Sequence, residues 1–169
     1  MRALRPTRAI KAAIVALLFT NTLWYAASGN LGQTLDAAGW LALLISFEVE
    51  ASAHAVRWTP WLRAVRIIAA ASVAWSTAAY YRQSAWLDAA NATLWLAVWI
   101  ALEVEYRVRC SRDRQWLRGV TRTLYAAIAA LVIVWLWRGE WFYAYDAVLW
   151  IVAFVTIELD APRPVNAPA

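Results

Sequence analysis

The sequence predicts an all-α membrane protein: six transmembrane helices forming three tandem helical hairpins in a pseudo-threefold bundle, with both termini cytoplasmic. Three observations carry that prediction. Of the 169 residues, 63% are hydrophobic and only 16% are charged, whereas a soluble domain carries roughly 25% charged residues. The chain also matches itself without a gap when it is slid by 55 residues: Arg8 falls on Arg63 and Arg118, Trp40 on Trp95 and Trp150, Glu48 on Glu103 and Glu158. Finally, the basic residues cluster on alternate connections between the apolar runs, as topology signals do.

The apolar runs are residues 12–27, 37–47, 67–81, 89–102, 124–137 and 147–157. A spanning helix needs ~20 predominantly apolar residues to cross ~30 Å of hydrocarbon. The first, third and fifth runs approach that length with their flanks. The second, fourth and sixth fall short, and span only by taking acids in with them. None alternates polar and apolar positions as barrel strands must.

Orientation follows from charge. Arg2, Arg5, Arg8 and Lys11 precede the first helix, and Arg57, Arg63 and Arg66 lie between the second and third. Arg107, Arg109, Arg112, Arg114, Arg118 and Arg122 lie between the fourth and fifth, and Arg163 follows the sixth. The opposite face carries only Arg82 and Arg138. The positive-inside rule therefore places both termini and the two longer loops in the cytoplasm, and the expected location is a bacterial cytoplasmic (inner) membrane. The N-terminal stretch MRALRPTR followed by an apolar run has the look of a signal peptide. The repeat instead makes it the counterpart of the third and fifth helices. Residues 1–161 form one transmembrane domain with repeats 2–51, 57–106 and 112–161, and the Pro-rich tail 162–169 is expected to be disordered.

Each second helix of a hairpin carries a stripe at a spacing of four: Asp36, Trp40, Leu44, Glu48; Asn91, Trp95, Trp99, Glu103; Asp146, Trp150, Phe154, Glu158. At ~100° per residue such a stripe drifts slowly round one helix face. It is polar at the outer end, aromatic in the middle and acidic at the inner end. The second acids, Glu50, Glu105 and Asp160, point ~200° further round. The stripe from Asp36 to Glu48 covers only ~18 Å, so either one polar end lies inside the bilayer or the bilayer thins locally. A submerged carboxylate costs about 3 kcal/mol, which makes it a functional-site candidate.

Two readings follow for each layer. Glu48, Glu103 and Glu158 either form a ring that binds a cation or protons, or pair with Arg8, Arg63 and Arg118 at the cytoplasmic rim. The outer layer, Asp36, Asn91 and Asp146, is either embedded or caps helix N-termini. The Trp column packs the bundle or plugs its axis. Ala16, Ala71 and Ala126, with Ala37, Ala92 and Ala147, are expected at close helix contacts.

Much chemistry is set aside. His54 and Cys110 are the only histidine and cysteine, so no bis-His haem, disulfide or cysteine metal cluster forms within one chain. There is no phosphate-cradling glycine cluster or nucleophile motif. No enzyme activity, cofactor or nucleic-acid partner is expected. The expected partners are the lipid bilayer, cations or protons, and other membrane subunits. Two function classes remain: a small cation or proton channel or transporter built on the glutamate ring, and a structural or accessory subunit of a larger membrane complex.

Overall fold

A computed structural model describes residues 8–28, 31–51, 59–107 and 111–160. Six α-helices make up nearly all of them: α1 (Arg8–Ala27), α2 (Leu31–Ala51), α3 (Thr59–Arg82), α4 (Trp86–Arg107), α5 (Ser111–Trp137) and α6 (Trp141–Asp160). Arg2, Arg5, His54, Arg57, Arg109, Cys110, Arg163 and the 162–169 tail lie outside the described residues.

Among the described residues four helices, α1, α3, α4 and α5, hold stretches long and apolar enough to cross a membrane, and α6 holds a shorter one, Trp141–Thr156. The α4 stretch, Trp86–Glu105, takes in Asp88, Glu103 and Glu105, as the sequence expectation for the fourth run required. The helix starts ahead of that run, and Trp86 and Leu87 lengthen its apolar stretch. Exposed tryptophans gather at both ends of the helices. Trp24, Trp86, Trp137 and Trp141 flank the hairpin turns, while Trp61 and Trp116 lie near the starts of α3 and α5. Amphipathic indoles take such positions at the two membrane–water interfaces.

Each helix packs against its chain neighbours, and α6 returns to pack on α1, so the six form a closed ring. The hairpin turns keep a common register. Helices α1, α3 and α5 end at Ala27, Arg82 and Trp137, and α2, α4 and α6 begin at Leu31, Trp86 and Trp141, each set 55 residues apart. The α3–α4 and α5–α6 turns share one geometry. Ser84 (φ 57°) and Gly139 (φ 76°) are both left-handed. The Ala85 N–H donates to the Tyr80 carbonyl at 3.0 Å, and the Glu140 N–H to that of Trp135 at 2.9 Å. This bond closes a helix C-terminus and reverses the chain. Glycine adopts the left-handed conformation freely, whereas at Ser84 it costs roughly 1–2 kcal/mol.

The core is layered in the same register. Leu18, Val73 and Ile128, from α1, α3 and α5, are 1%, 0% and 0% exposed, and Leu43, Val98 and Ala153, from α2, α4 and α6, are 2%, 0% and 2% exposed. Ala37, Ala92 and Ala147 are buried as expected. Ala16, Ala71 and Ala126 are exposed, a correction to their expected role at helix contacts: they fall on the outward faces of α1, α3 and α5. The close approach is made instead at Gly39, where a Cβ would stand 2.8 Å from Val73 Cγ2 and 3.1 Å from the Ala69 carbonyl oxygen. Across the same joint the Ser72 hydroxyl donates to the Leu35 carbonyl at 2.9 Å.

Candidate functional site

Asp36, Asn91 and Asp146 are each the sixth residue of their helices, α2, α4 and α6. An N-cap stands at the helix boundary, before the first turn. These three lie more than a turn inside, so the capping reading is corrected. Their side chains line a cavity of about 50 Å³ at the hairpin-turn end of the bundle.

The cavity is built in layers. Tyr25, Tyr80 and Trp135 come from the last turns of α1, α3 and α5, while Gln33, Asp88 and Tyr143 come from the first turns of α2, α4 and α6. The Asp36, Asn91 and Asp146 layer follows, and Trp40, Trp95 and Trp150 lie one turn further in. Each layer is a complete set of residues 55 apart. Among the described residues lining the cavity are three carboxylates and no Lys, Arg or His. Arg138, in the α5–α6 turn, pairs with Glu140 at 3.1 Å.

Hydrogen bonding separates the two aspartates of the polar layer. Asp146 accepts from Asn21 Nδ2 at 2.6 Å and from the Tyr25 hydroxyl at 3.3 Å. Asp36 accepts from the Tyr80 hydroxyl at 3.5 Å through Oδ2, at the outer limit of a hydrogen bond. Its Oδ1, like Oδ1 of Asn91, is buried with no hydrogen-bond partner. Gln33 Nε2 donates to the Tyr143 hydroxyl at 3.0 Å. The two tyrosine contacts are alike: a first-helix tyrosine reaches the second-helix aspartate of the neighbouring hairpin, α3 to α2 and α1 to α6. At the α5–α4 joint the corresponding residues are Trp135 and Asn91, so the hydroxyl and the carboxylate are lost together.

An aromatic floor closes the cavity. Trp40, Trp95 and Trp150 are 4%, 4% and 6% exposed. Phe154 stacks on Trp95 at 4.9 Å between ring centres and meets Trp40 edge-on at 5.9 Å. Trp40 and Trp95 themselves lie 6.5 Å apart. Trp99 stands half-buried, with its Nε1 buried and without a hydrogen-bond partner.

Of the expected rim pairing, in which Arg8, Arg63 and Arg118 each reach an acid of the E-x-E/D pair of their own or a neighbouring hairpin, the described residues include the Arg118–Glu105 pair. Glu48 is about half exposed and paired with Lys11, whose Nζ lies 2.9 and 3.0 Å from its two carboxylate oxygens. Lys11 was not among the expected partners, although the 55-residue shift lays it on the basic Arg66. Arg118 pairs with Glu105, the second acid of the preceding hairpin, at 2.8 Å. Arg63 is exposed on α3 and Glu103 is half-buried on α4. Arg66 covers the Phe47 ring at 4.5 Å and donates to Ser46 Oγ at 3.3 Å. The side chains of Arg8, Glu50, Glu158 and Asp160 lie outside the described residues.

Among the described residues, no group of three or more His, Cys, Asp or Glu comes together to hold a metal ion. Sequence reasoning missed Asn21, Gln33, Asp88 and Tyr143. Three of these carried a signal, since the shift lays Gln33 on Asp88 and Asp88 on Tyr143. Compared with family models, curated proteins and solved structures, the chain matches none.

Proposed function

We propose that this chain is a small cation transporter or channel. In this reading all six helices span the membrane as three hairpins related by a pseudo-threefold axis along the membrane normal. The termini are cytoplasmic, and the cation enters from the outer side through the Asp36 cavity. One observation carries the reading: four complete sets of residues at the 55-residue spacing line a single cavity with three carboxylates and no base. The shared turn register and the core layers support the same symmetry. Low-dielectric walls of one charge sign concentrate counter-ions, and rings of acidic side chains select cations.

The reading moves the first binding site from the glutamates to the aspartate layer. Glu48 is already neutralised by Lys11, whereas Asp36 has a free buried oxygen. The aromatic floor stands between the two layers, so passage requires it to part. Glu48, Glu103 and Glu158 then receive the cation on the inner side. Cation and proton flux into proteoliposomes tests this. Wild type is expected to pass a cation or protons, Asp36→Asn to lose at least tenfold in rate, and the triple Glu→Gln variant at 48, 103 and 158 to lose flux while still binding. Wild-type liposomes as tight as empty ones, across several ions and pH gradients, would instead favour a structural subunit of a larger membrane complex.

A further inference from the structure

We propose that the ligand of the cavity is a small primary ammonium ion rather than a metal ion, a class that follows from three features of the site and rests on its reading as a cation site. The first is the disposition of the acids. Asp36, Asp88 and Asp146 line one cavity but do not gather into a metal-binding group. Calcium takes 6–8 oxygens at roughly 2.3–2.6 Å and magnesium a near-ideal octahedron, so spread carboxylates serve either ion badly. A diffuse organic cation needs no such convergence.

The second feature is aromatic. Half of the cavity's residues are Trp or Tyr, with Trp40, Trp95 and Trp150 at the base. Ring faces attract ammonium ions, most strongly where water is excluded, and they also receive a short alkyl chain.

The third feature separates ammonium ions that carry N–H groups from those that do not. Asp36 Oδ1 and Asn91 Oδ1 are both buried acceptors with no partner at hydrogen-bond distance, the Trp40 indole lying against the Asp36 carboxyl. A buried unpaired acceptor is unfavourable until a donor reaches it. A primary ammonium brings three donors and a positive charge, whereas a quaternary ammonium brings only the charge. The assigned roles are therefore Asp36 as charge partner, Asn91 as second acceptor and the tryptophans as the wall. Asp146, satisfied by Asn21 and Tyr25, holds the α1–α6 joint.

Titration calorimetry and thermal unfolding of the full chain in detergent, at constant ionic strength, test this with ethylammonium, tetramethylammonium, potassium and magnesium. Ethylammonium is expected to bind and raise the unfolding temperature by mass action, with at least tenfold higher affinity than tetramethylammonium or either metal ion. Asp36→Asn should weaken it at least tenfold. Should that variant not fold, Asn91→Leu serves: it removes a buried unpaired acceptor, so the fold is expected to hold while ethylammonium affinity drops. Equal affinity for tetramethylammonium, or unchanged affinity in both variants, overturns the assignment. Asp36-dependent binding of potassium or magnesium that matches ethylammonium overturns the ligand class but keeps the cation site. Failure of all four ions to bind removes the cation reading itself.

Discussion

At the residue scale, Asn21 and its counterpart 55 residues on offer a comparison within one molecule. Asn21 on α1 is buried and donates to Asp146 at 2.6 Å. Ser76 holds the corresponding place on α3, is 0% exposed, and its Oγ has no hydrogen-bond partner. Removing a donor from a buried carboxylate costs about 1.5–3 kcal/mol, while removing an unpaired buried hydroxyl is near neutral. Asn21→Ala is therefore expected to lower unfolding free energy in detergent by about 2 kcal/mol, and Ser76→Ala to change it little. Equal losses at the two sites would mean that packing, not the Asp146 bond, is at stake. Asp36, Asn91 and Asp146 were legible in the sequence because they recur. Asn21 was not, because its counterparts are Ser76 and Leu131 and a role performed at one joint leaves no periodic trace. The ion-pair partners were half legible: repeated arginines marked the correct rim, but a long flexible Lys11 reached Glu48 from one turn beyond Arg8.

At the element scale, the joint between α2 and α3 rests on Gly39. A methyl group there meets Val73 Cγ2 at 2.8 Å and a backbone oxygen at 3.1 Å. Val73 is β-branched and fully buried, so it has little freedom to move away. Gly39→Ala is expected to destabilise the fold by about 1–3 kcal/mol, the range for overpacking a close contact, and thermal unfolding in detergent measures it. An unchanged unfolding temperature would show that α2 and α3 part without penalty. The 55-residue shift lays Gly39 on Leu94 and Leu149, so the hairpins differ in how closely they approach their neighbours. The turn-side ends of α1, α3 and α5 were legible, because the apolar runs stop there, whereas the second helices begin three to six residues ahead of their runs. The inner acids were legible as a layer, but which acid meets which base depends on side-chain reach across joints of unequal closeness.

At the scale of the whole molecule, the α6–α1 joint closes the ring and is the least extensive of the six. It is held at the hairpin-turn end by the Asn21 and Tyr25 bonds to Asp146. The closed ring gathers residues far apart in sequence into one cavity, with residues 55 apart in the same layers. What periodicity alone did not reveal was which layer of the ring stays open. Bulky Trp40, Trp95 and Phe154 fill the middle, and the smaller polar residues above them leave space. In the proposed function this cavity faces the outer side and holds a cation. The most direct measurement uses a single cysteine, Asp88→Cys in a Cys110→Ser background, labelled by a membrane-impermeant thiol reagent in right-side-out vesicles. Labelling is expected from the outside, and ethylammonium should slow it unless Asp36 is also changed to Asn. Labelling only from the inside, or at a rate that no cation alters, would contradict the account.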